Sequence, residues 1–272
     1  MFKRQDNAQL CQVDLLGGLN ILRVHLIEFS YSPHTHEEFL IALTEGGAAL
    51  PCYRGSTHQH IPGKVLVLNP GEVHSGGPAQ GAIWQYRAFY VPADILLRIS
   101  QELTDGDSSL PQFSEDVVND THLAALLRQA HDAIEVPGSV LECESHLLEA
   151  LASLICRHAA NQAPVHSIGC EHQAVKRARE YLEAVPGENI TLESLAREAG
   201  LSPFRLWRVF HHETGLTPHA YQTLVRVRLA KTLLGEGIPI SQAAVEAGFY
   251  DQAHLTRHFK RIYGVTPGQY HY

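Results

Sequence analysis

Over its first third, the chain alternates short apolar runs with glycine and proline pairs. The runs lie at residues 19–27, 39–43, 65–68 and 83–90, and the breaks include Pro62-Gly63 and Pro70-Gly71. Many short strands with regular turn signals are typical of small barrels and jelly rolls. The pattern therefore predicts a small β-barrel or jelly roll between about residues 20 and 92.

From about residue 93 the apolar spacing becomes helical. It predicts helices at roughly 120–135 and 139–159, and the second carries a wide apolar stripe that includes Leu141, Leu148 and Ile155. A stripe this wide suits a helix packed on its own barrel, or a helix pair that also binds a second copy. We favour the dimerisation pair, about 120–159. Residues 161–172 lack periodicity and are the best linker candidate.

Two stretches near the C-terminus repeat one another, beginning at Glu198 and Glu246. Each starts Glu-Ala-Gly, has a Phe about ten residues past that glycine, and closes on Gly-x-Thr-Pro. Self-similarity at a fixed spacing indicates a repeated supersecondary unit. The unit is predicted to be helix, glycine turn, second helix, so residues 173–272 form an all-α domain with two helix-turn-helix units.

The second helix of the first unit begins at Ser202, a good N-cap followed by proline. Its helical spacing puts Phe204, Trp207 and Arg208 on the face opposite the predicted core. Packing of the aromatic residues against a neighbouring helix is one interpretation. The interpretation that we favour is a helix that reads DNA, with Arg208 reaching a guanine edge.

The second unit presents a different outward face on its second helix. Asp251 is the predicted N-cap, and the outward residues with polar or charged side chains are Gln252, Thr256, Arg257 and Lys260. Gln and Arg suit adenine and guanine, and a Lys further along suits a phosphate. Two such helices about one helical turn of DNA apart (~34 Å) would enter successive major grooves.

Charge is divided unevenly along the chain, whose formal net charge is −8. Residues 172–272 hold 12 Lys and Arg against 9 Asp and Glu, so the acidic excess lies in the remainder. Five scattered cysteines without metal-ligand spacing, no apolar run long enough to span a bilayer, and an N-terminus without a signal-peptide pattern predict a cytoplasmic protein with reduced thiols.

The C-terminal hundred residues resemble the DNA-binding domain of AraC/XylS-type transcriptional regulators. The matching positions are Leu195, Ala196, Ala199, Gly200, Ser202, Pro203, Arg208, Phe210, Gly215, Thr217, Pro218, Arg226, Ala230, Leu233, Leu234, Gly248, Phe249, Phe259, Lys260, Gly264, Thr266 and Pro267. The resemblance implies DNA contacts at Phe204, Trp207, Arg208, Gln252, Thr256 and Arg257. It also implies a regulator, more often an activator, that works with a small-molecule effector and RNA polymerase, and the predicted helix pair would make it a homodimer.

Two short motifs in the N-terminal part resemble those of the cupin barrel, the usual partner domain in this family. They are His34-Thr-His36 and the segment Pro70-Gly71-Glu-Val-His74. On one strand, residues 34, 36 and 38 would point the same way, so that His34, His36 and Glu38 could converge with His74. Such a set suits Zn, Fe(II) or Ni.

The chain departs from metal-binding cupins where their glutamate and asparagine ligands fall. Leu40 and Ile41 occupy the first place and Pro78 the second. We therefore favour a small-molecule effector pocket formed by the same residues, with three from a neighbouring strand that could hold a carboxylate or an apolar body: Trp84, Tyr86 and Arg87. A divalent metal on His34, His36 and His74 stays an alternative. His58 and His60 are expected on the surface.

We therefore expect a cupin-like effector domain at 1–160, a linker at 161–172 and a double helix-turn-helix domain at 173–272. This organisation predicts a sequence-specific DNA-binding regulator that is not an enzyme. Two alternatives stay open. One is a cupin metalloenzyme with an appended helical domain, and the other is a dimeric DNA-binding protein that needs no ligand.

Overall fold

The computed structural model describes residues 6–104, 109–136, 138–161 and 171–270. These residues divide into two compact units, drawn from Met1–Asp132 with His146–His166 and from Ala133–Ser145 with Ser167–Tyr272. Residues 162–170 of the predicted linker lie outside the described part of the chain. No described helix is long and apolar enough to cross a membrane.

The first unit is built on antiparallel strands. In chain order these are β1 Asn7–Val13, β2 Leu19–Leu26, β3 Tyr31–His34, β4 Phe39–Gly47, β5 Cys52–Tyr53, β6 Ser56–Thr57, β7 Val65–Leu68, β8 His74–Gly76, β9 Trp84–Val91 and β10 Val117–Val118. One sheet has the order β1-β2-β9-β4-β7-β10 and the other β3-β8-β5-β6. A core that includes Leu22, Leu66 and Tyr53 draws on both sheets. The predicted β-structure and its cupin-like class are confirmed.

The pleat of β9 sorts its side chains between two environments. Trp84 and Tyr86 join the core cluster that draws on both sheets, whereas the ring of Phe89 contacts His131 on a helix. Successive side chains of a strand point to opposite faces. One strand therefore serves both the interior of the barrel and the contact with a helix.

Three helices follow or interrupt the sheets, α1 Ala93–Leu103, α2 Thr121–Glu135 and α3 Val140–His158. The last two match the helices predicted at 120–135 and 139–159. The apolar stripe of α3 is buried within this chain, at Leu141, Leu147, Leu148, Leu151, Leu154 and Ile155. These side chains are covered within this chain, and the dimerisation pair stays a prediction.

The second unit is helical, as the sequence predicts. Its helices are α4 His172–Ala184, α5 Leu192–Ala199, α6 Pro203–Thr214, α7 Pro218–Gly235, α8 Ile240–Glu246 and α9 Gln252–Tyr263. The second helix-turn-helix has a continuous core in which Val227 and Ala230 of α7 meet Ala243 of α8 and Phe259 of α9. Because Ala243 is small and fully buried, α7 and α8 can approach closely.

The start of α3 also packs within this second unit. Glu144 accepts a hydrogen bond of 2.6 Å from the backbone N–H of Leu192, the first residue of α5, and Asn189 accepts one from the N–H of Val140. A carboxylate at a helix N-terminus satisfies an orphan donor and complements the helix dipole. The Glu144 carboxylate therefore fixes the beginning of the first helix-turn-helix.

Candidate nucleic-acid interface and barrel cavity

The first helix-turn-helix is shaped by residues that stop and restart its helices. Thr191 caps α5 by accepting a bond of 3.0 Å from the N–H of Ser194. Gly200 ends that helix with a positive φ of 73°, and Ser202 caps α6 by accepting from the N–H of Arg205. Each device satisfies a backbone group that the helix end would leave unpaired. Residues in the turn and next to it therefore determine where α5 ends and α6 begins.

The aromatic face predicted on α6 is closed rather than open. Phe204 is only 3% exposed. Trp207 is half-buried and stacks between Phe204 and His211, with ring centroids 5.9 and 6.0 Å away. Its indole nitrogen is shielded from solvent and has no partner among the described residues. The prediction that Phe204 faces outward is wrong, because its ring packs against Trp207 and is shielded from solvent.

Two arginines border this stack in different ways. Arg208 is half-buried, with its guanidinium 5.8 Å from the Phe204 ring centroid. Arg205 is exposed and pairs with Glu171 at 2.6 Å. The sequence analysis did not single out Arg205, although this residue directly follows Phe204 in the chain. The cation that α6 presents most openly is therefore Arg205, and Arg208 is backed by an aromatic ring.

The outward face of α9 agrees with the sequence prediction. Asp251 caps the helix by accepting a bond of 2.7 Å from the N–H of His254. Gln252, Arg257 and Lys260 are exposed. Thr256 is partly buried and donates its hydroxyl to the backbone carbonyl of Gln252. Two long cationic side chains and an amide thus share one open helix face.

A pair of histidines lies beside this face, and the sequence analysis missed it. His254 and His258 are one turn apart on α9, and their Nε2 atoms are 3.0 Å apart. Burial and the neighbouring positive groups lower the pKa of His258 to about 4, and burial also lowers the pKa of His254. The i, i+4 spacing was the available signal. Near neutral pH both rings are therefore uncharged.

A buried arginine braces the segment that leads into α5. Arg226 of α7 donates from Nε to the carbonyl of Pro186 at 2.7 Å and from Nη2 to that of Glu188 at 2.8 Å. Its pKa is lowered by burial, while Glu142 opposes that shift. Bonds of this kind hold a loop to a helix at fixed geometry. Arg226 therefore has a structural role.

In the barrel, three of the predicted pocket residues converge. His34 ends β3 and lies opposite His74 on β8, and His36 follows in the turn to β4. One ligand atom from each of the three lies within 4.8 Å of the others, and the Nε2 atoms of His36 and His74 are 3.1 Å apart. Burial, followed by the other two histidines, lowers the pKa of His36 to about 4.

These histidines border a small cavity lined by aromatic side chains. Its walls include Trp84 and Tyr86, as predicted, together with Tyr31 and Tyr90. The hydroxyls of Tyr31 and Tyr86 are 2.8 Å apart. The cavity offers about 30 Å³, the space of about one water-sized group. A larger effector therefore requires these side chains to move.

Two residues assigned to this pocket lie elsewhere. Arg87 points to the opposite face of β9, where it pairs with Glu45 at 2.7 Å and with Asp132. Glu38 does not line the cavity and does not join the histidine cluster, because the chain turns between β3 and β4 and breaks the alternation assumed for residues 34, 36 and 38. The predicted effector pocket is therefore wrong at these two positions.

A further correction concerns the loop after β6. His60 is 1% exposed, and neither ring nitrogen has a partner among the described residues. Its pKa is lowered to about 4 by burial. His58, by contrast, pairs with Asp116 at 3.2 Å and is partly exposed. His60 was expected on the surface, but the bridge between it and Ala49 draws it inward.

A larger cavity of about 320 Å³ shares His74 and Ser75 with the first. Its charged lining residues, Arg54 and Glu72, are bonded to each other. The converging polar groups and the aromatic walls, which are typical of ligand sites, belong to the smaller cavity.

Comparisons with known proteins agree with this architecture. The AraC-like ligand binding domain family matches residues 16–151, and a helix-turn-helix domain family matches residues 195–271. An uncharacterised HTH-type transcriptional regulator of Bacillus subtilis, YbfI, is 32% identical over 251 residues, covering 92% of this chain and 90% of that protein. The arabinose operon regulatory protein of Escherichia coli is 25% identical over 94% of this chain and 88% of its own length.

Among solved structures, a probable AraC family transcriptional regulator from Rhodopseudomonas palustris is 31% identical over 35% of this chain and 90% of its own, with a TM-score of 0.33. The family matches cover both units, and the match to the Bacillus protein runs through nearly the whole length of both chains. The chain therefore belongs to the AraC family of transcriptional regulators, with a cupin-like ligand-binding domain followed by a helix-turn-helix DNA-binding domain.

Proposed function

We propose that the protein is a transcriptional activator that reads an asymmetric DNA site with two non-equivalent helices and is controlled by a small molecule in its barrel. The observation that carries the first part is the open face of α9. There Gln252, Arg257 and Lys260 are exposed on a helix capped by Asp251. A rigid helix with long polar side chains free of internal packing is the form that base readout requires.

Within the second helix-turn-helix unit, each outward side chain of α9 has a distinct role. Arg257 donates to the O6 and N7 atoms of a guanine, and Gln252 pairs with an adenine. Lys260 lies further along the helix and binds a phosphate, which fixes position without reading sequence. Thr256 contributes its methyl group, since its hydroxyl is bonded to the carbonyl of Gln252.

The first unit reads DNA more sparingly. Arg208 reaches a base while its guanidinium lies near the Phe204 ring. Trp207 offers its half-buried edge to a sugar or a thymine methyl, and Phe204 supports both. Arg205 binds a phosphate after exchanging its partner Glu171. This helix therefore offers one base-reading arginine, whereas α9 offers an arginine and a glutamine.

Regulation rests on the division of labour along the chain. The effector domain spans 1–160, the linker 161–172 and the DNA-binding domain 173–272. The effector occupies the cavity between Tyr31, Trp84 and Tyr86, and its binding biases the contacts that the second unit makes with DNA and RNA polymerase. The protein acts as a cytoplasmic homodimer and catalyses no reaction.

The DNA-binding part is tested with the full chain. Rounds of selection from random duplexes, followed by footprinting, should return one sequence protected over two successive major grooves. Affinity for that duplex should fall steeply with salt, since phosphate contacts release counterions. A control variant, Arg98→Ala on α1 of the barrel unit, should bind the selected duplex with the same affinity as the wild type. Equal affinity for all duplexes would contradict sequence-specific reading.

The regulatory part is tested separately. A thermal-shift screen of the full chain against sugars, amino acids and aromatic acids should find a compound that raises the midpoint temperature of thermal unfolding of the barrel. That compound should then increase transcript yield from the selected site in a reaction with purified RNA polymerase. A compound that stabilises the barrel while lowering transcript yield would overturn the activator assignment.

A further inference from the structure

The turn of the second helix-turn-helix is one residue longer than the turn of the first. Between the turn glycine and the N-cap of the following helix, the first unit has Leu201 alone. The second unit has two residues at this place, Phe249 and Tyr250. Phe249 is 5% exposed, whereas Tyr250 is 64% exposed. The longer turn therefore adds a large side chain that the core does not cover.

The residues on both sides of Tyr250 are held in place. The N–H of Phe249 donates to the carbonyl of Ala244 at 2.9 Å, and its ring packs against His254, with centroids 5.3 Å apart. On the other side, Asp251 caps α9 by accepting from the N–H of His254. Tyr250 is thus presented by a fixed backbone, so that a partner does not have to order the turn before binding it.

A structural role for the ring would be a hydrophobic staple at the start of α9. In that motif the residue before the N-cap packs against the fourth residue of the helix, which here is Leu255. Leu255 is fully buried, but the Tyr250 side chain stays largely exposed. Phe249 contacts the helix instead, through His254 and His258. The packing of this helix start therefore does not require the tyrosine ring.

The position of Tyr250 suits a contact with the DNA backbone. In a helix-turn-helix the first helix crosses the backbone and the N-terminal residues of the second meet base edges, so the turn between them lies near phosphates. The carboxylate of Asp251 already accepts from the N-terminus of α9 and would repel a phosphate there. A neutral donor that reaches past this carboxylate is needed, and a tyrosine hydroxyl is such a donor. We propose that Tyr250 donates its hydroxyl to a DNA phosphate at the edge of the groove that α9 enters.

This contact rests on the proposed DNA reading by α9 and gives that helix a phosphate partner at each end of its outward face. Lys260 is the other, and Gln252 and Arg257 lie between the two in the sequence. Phosphate contacts fix position and orientation without reading sequence, so the pair holds the base-reading side chains in register. Leu201, in the shorter turn of the first unit, has no side-chain donor with which to make such a contact.

The test uses the full chain and the duplex obtained by selection, with fluorescence anisotropy as the readout. Tyr250→Phe keeps the ring and removes the hydroxyl, so it should weaken binding about 5–20-fold. The same factor should hold on duplexes with single base-pair changes, because a phosphate contact carries no sequence information. The matched control is Tyr181→Phe, which makes the same change on α4 and should leave the affinity unchanged.

Single methylphosphonate substitutions along the duplex locate the contact. Each replaces one charged phosphate oxygen by a methyl group. At one position the wild type should lose affinity while Tyr250→Phe loses no more, which is the coupling expected of two groups in contact. The urea midpoint of Tyr250→Phe should equal that of the wild type, because the ring is exposed.

Two outcomes would overturn the contact alone. One is wild-type affinity of Tyr250→Phe on the selected duplex, and the other is a loss confined to one base pair, which would make Tyr250 a base reader. If the wild type itself binds all duplexes equally, the proposed function and this contact fail together.

Discussion

The two helix-turn-helix units share a frame and differ in the face that they present. Ser202 and Asp251 occupy the same position before the second helix of each unit, and both act as N-caps. Phe210 and Phe259 also correspond, and both are fully buried. The repeated sequence therefore specifies repeated packing.

The outward faces diverge at the corresponding positions. Phe204 of α6 matches Ala253 of α9, and Trp207 matches Thr256. The aromatic pair closes the first face by stacking, whereas the small residues leave the second face open to solvent or partly so. One copy has used part of its outward face for packing, and the other has kept it for contact with DNA. A duplicated fold can thus divide stability and readout between its halves.

The largest expected effect comes from the glycines that turn the two units, Gly200 and Gly248. Both have positive φ, at 73° and 84°. A Cβ at Gly248 would lie 2.7 Å from the Cα of Gly187, whereas at Gly200 its nearest neighbour is Nη2 of Arg177 at 3.4 Å. Gly248→Ala should cost about 3 kcal/mol through strain and overlap, and Gly200→Ala about 1 kcal/mol through strain alone.

Urea unfolding measures this difference. In a Trp84→Phe background the remaining tryptophan is Trp207. Its fluorescence therefore reports the unfolding of the C-terminal helical unit, which contains both helix-turn-helix units. Equal losses for Gly200→Ala and Gly248→Ala would show that close backbone packing at Gly187 does not distinguish the two turns.

The next effect concerns DNA affinity at the corresponding arginines, Arg208 and Arg257. Arg257→Ala should weaken binding to the selected duplex by about 1–3 kcal/mol and relax the choice at one base pair. Arg208→Ala should lose a similar amount, but with an added loss of folding stability, because the guanidinium also contacts the Phe204 ring. Fluorescence anisotropy measures the first quantity and urea unfolding the second. An unchanged footprint in both variants would remove them from the interface.

Much of the fold could be predicted because it depends on local signals. The N-caps Thr191, Ser202 and Asp251 and the turn at Gly200 act within a few residues of themselves, so the chain displays them directly. The strand runs and the period of α2 are local in the same sense. The cluster of His34, His36 and His74 was also predictable, through its motif spacing.

The remainder depended on contacts between distant parts of the chain. Whether Phe204 faces water depends on which neighbours cover it, and helical spacing alone does not tell. Arg87 forms ion pairs with Glu45 and Asp132, which are distant from it in the sequence. The inward position of His60 follows from a bridge to Ala49. Sequence period assigns a side chain to a face, but tertiary packing decides whether the face is covered.

A smaller effect distinguishes His258 of α9 from its counterpart Val209 of α6. The folded pKa of His258 is about 4, lowered by burial, then by His254, Arg261 and Arg257; an unfolded histidine has about 6.5. Between these values the unfolded chain binds more protons, so stability falls as pH drops from about 6.5 towards 4. Because the ring is partly solvated, the loss should be about 1–2 kcal/mol.

His258→Val copies the residue of the first helix-turn-helix and should reduce this pH dependence, while the lowered pKa of His254 leaves a smaller one; stability at pH 7 should be nearly unchanged. Urea midpoints at pH 7 and pH 5, followed by Trp207 fluorescence, provide the measurement. The same acid sensitivity in wild type and variant would assign the effect to other groups.

The smallest effect separates the two N-caps, Ser202 and Asp251. Asp251 accepts a shorter bond, 2.7 Å against 3.3 Å for Ser202, and its charge favours the positive end of the helix. Asp251→Ala should therefore cost about 1–1.5 kcal/mol and Ser202→Ala about 0.5–1 kcal/mol. Asp251→Asn keeps the acceptor and removes the charge, so it should fall between the wild type and Asp251→Ala in urea midpoint. If Asp251→Asn equals Asp251→Ala, the cap acts through charge alone, and the two units differ in kind rather than in degree.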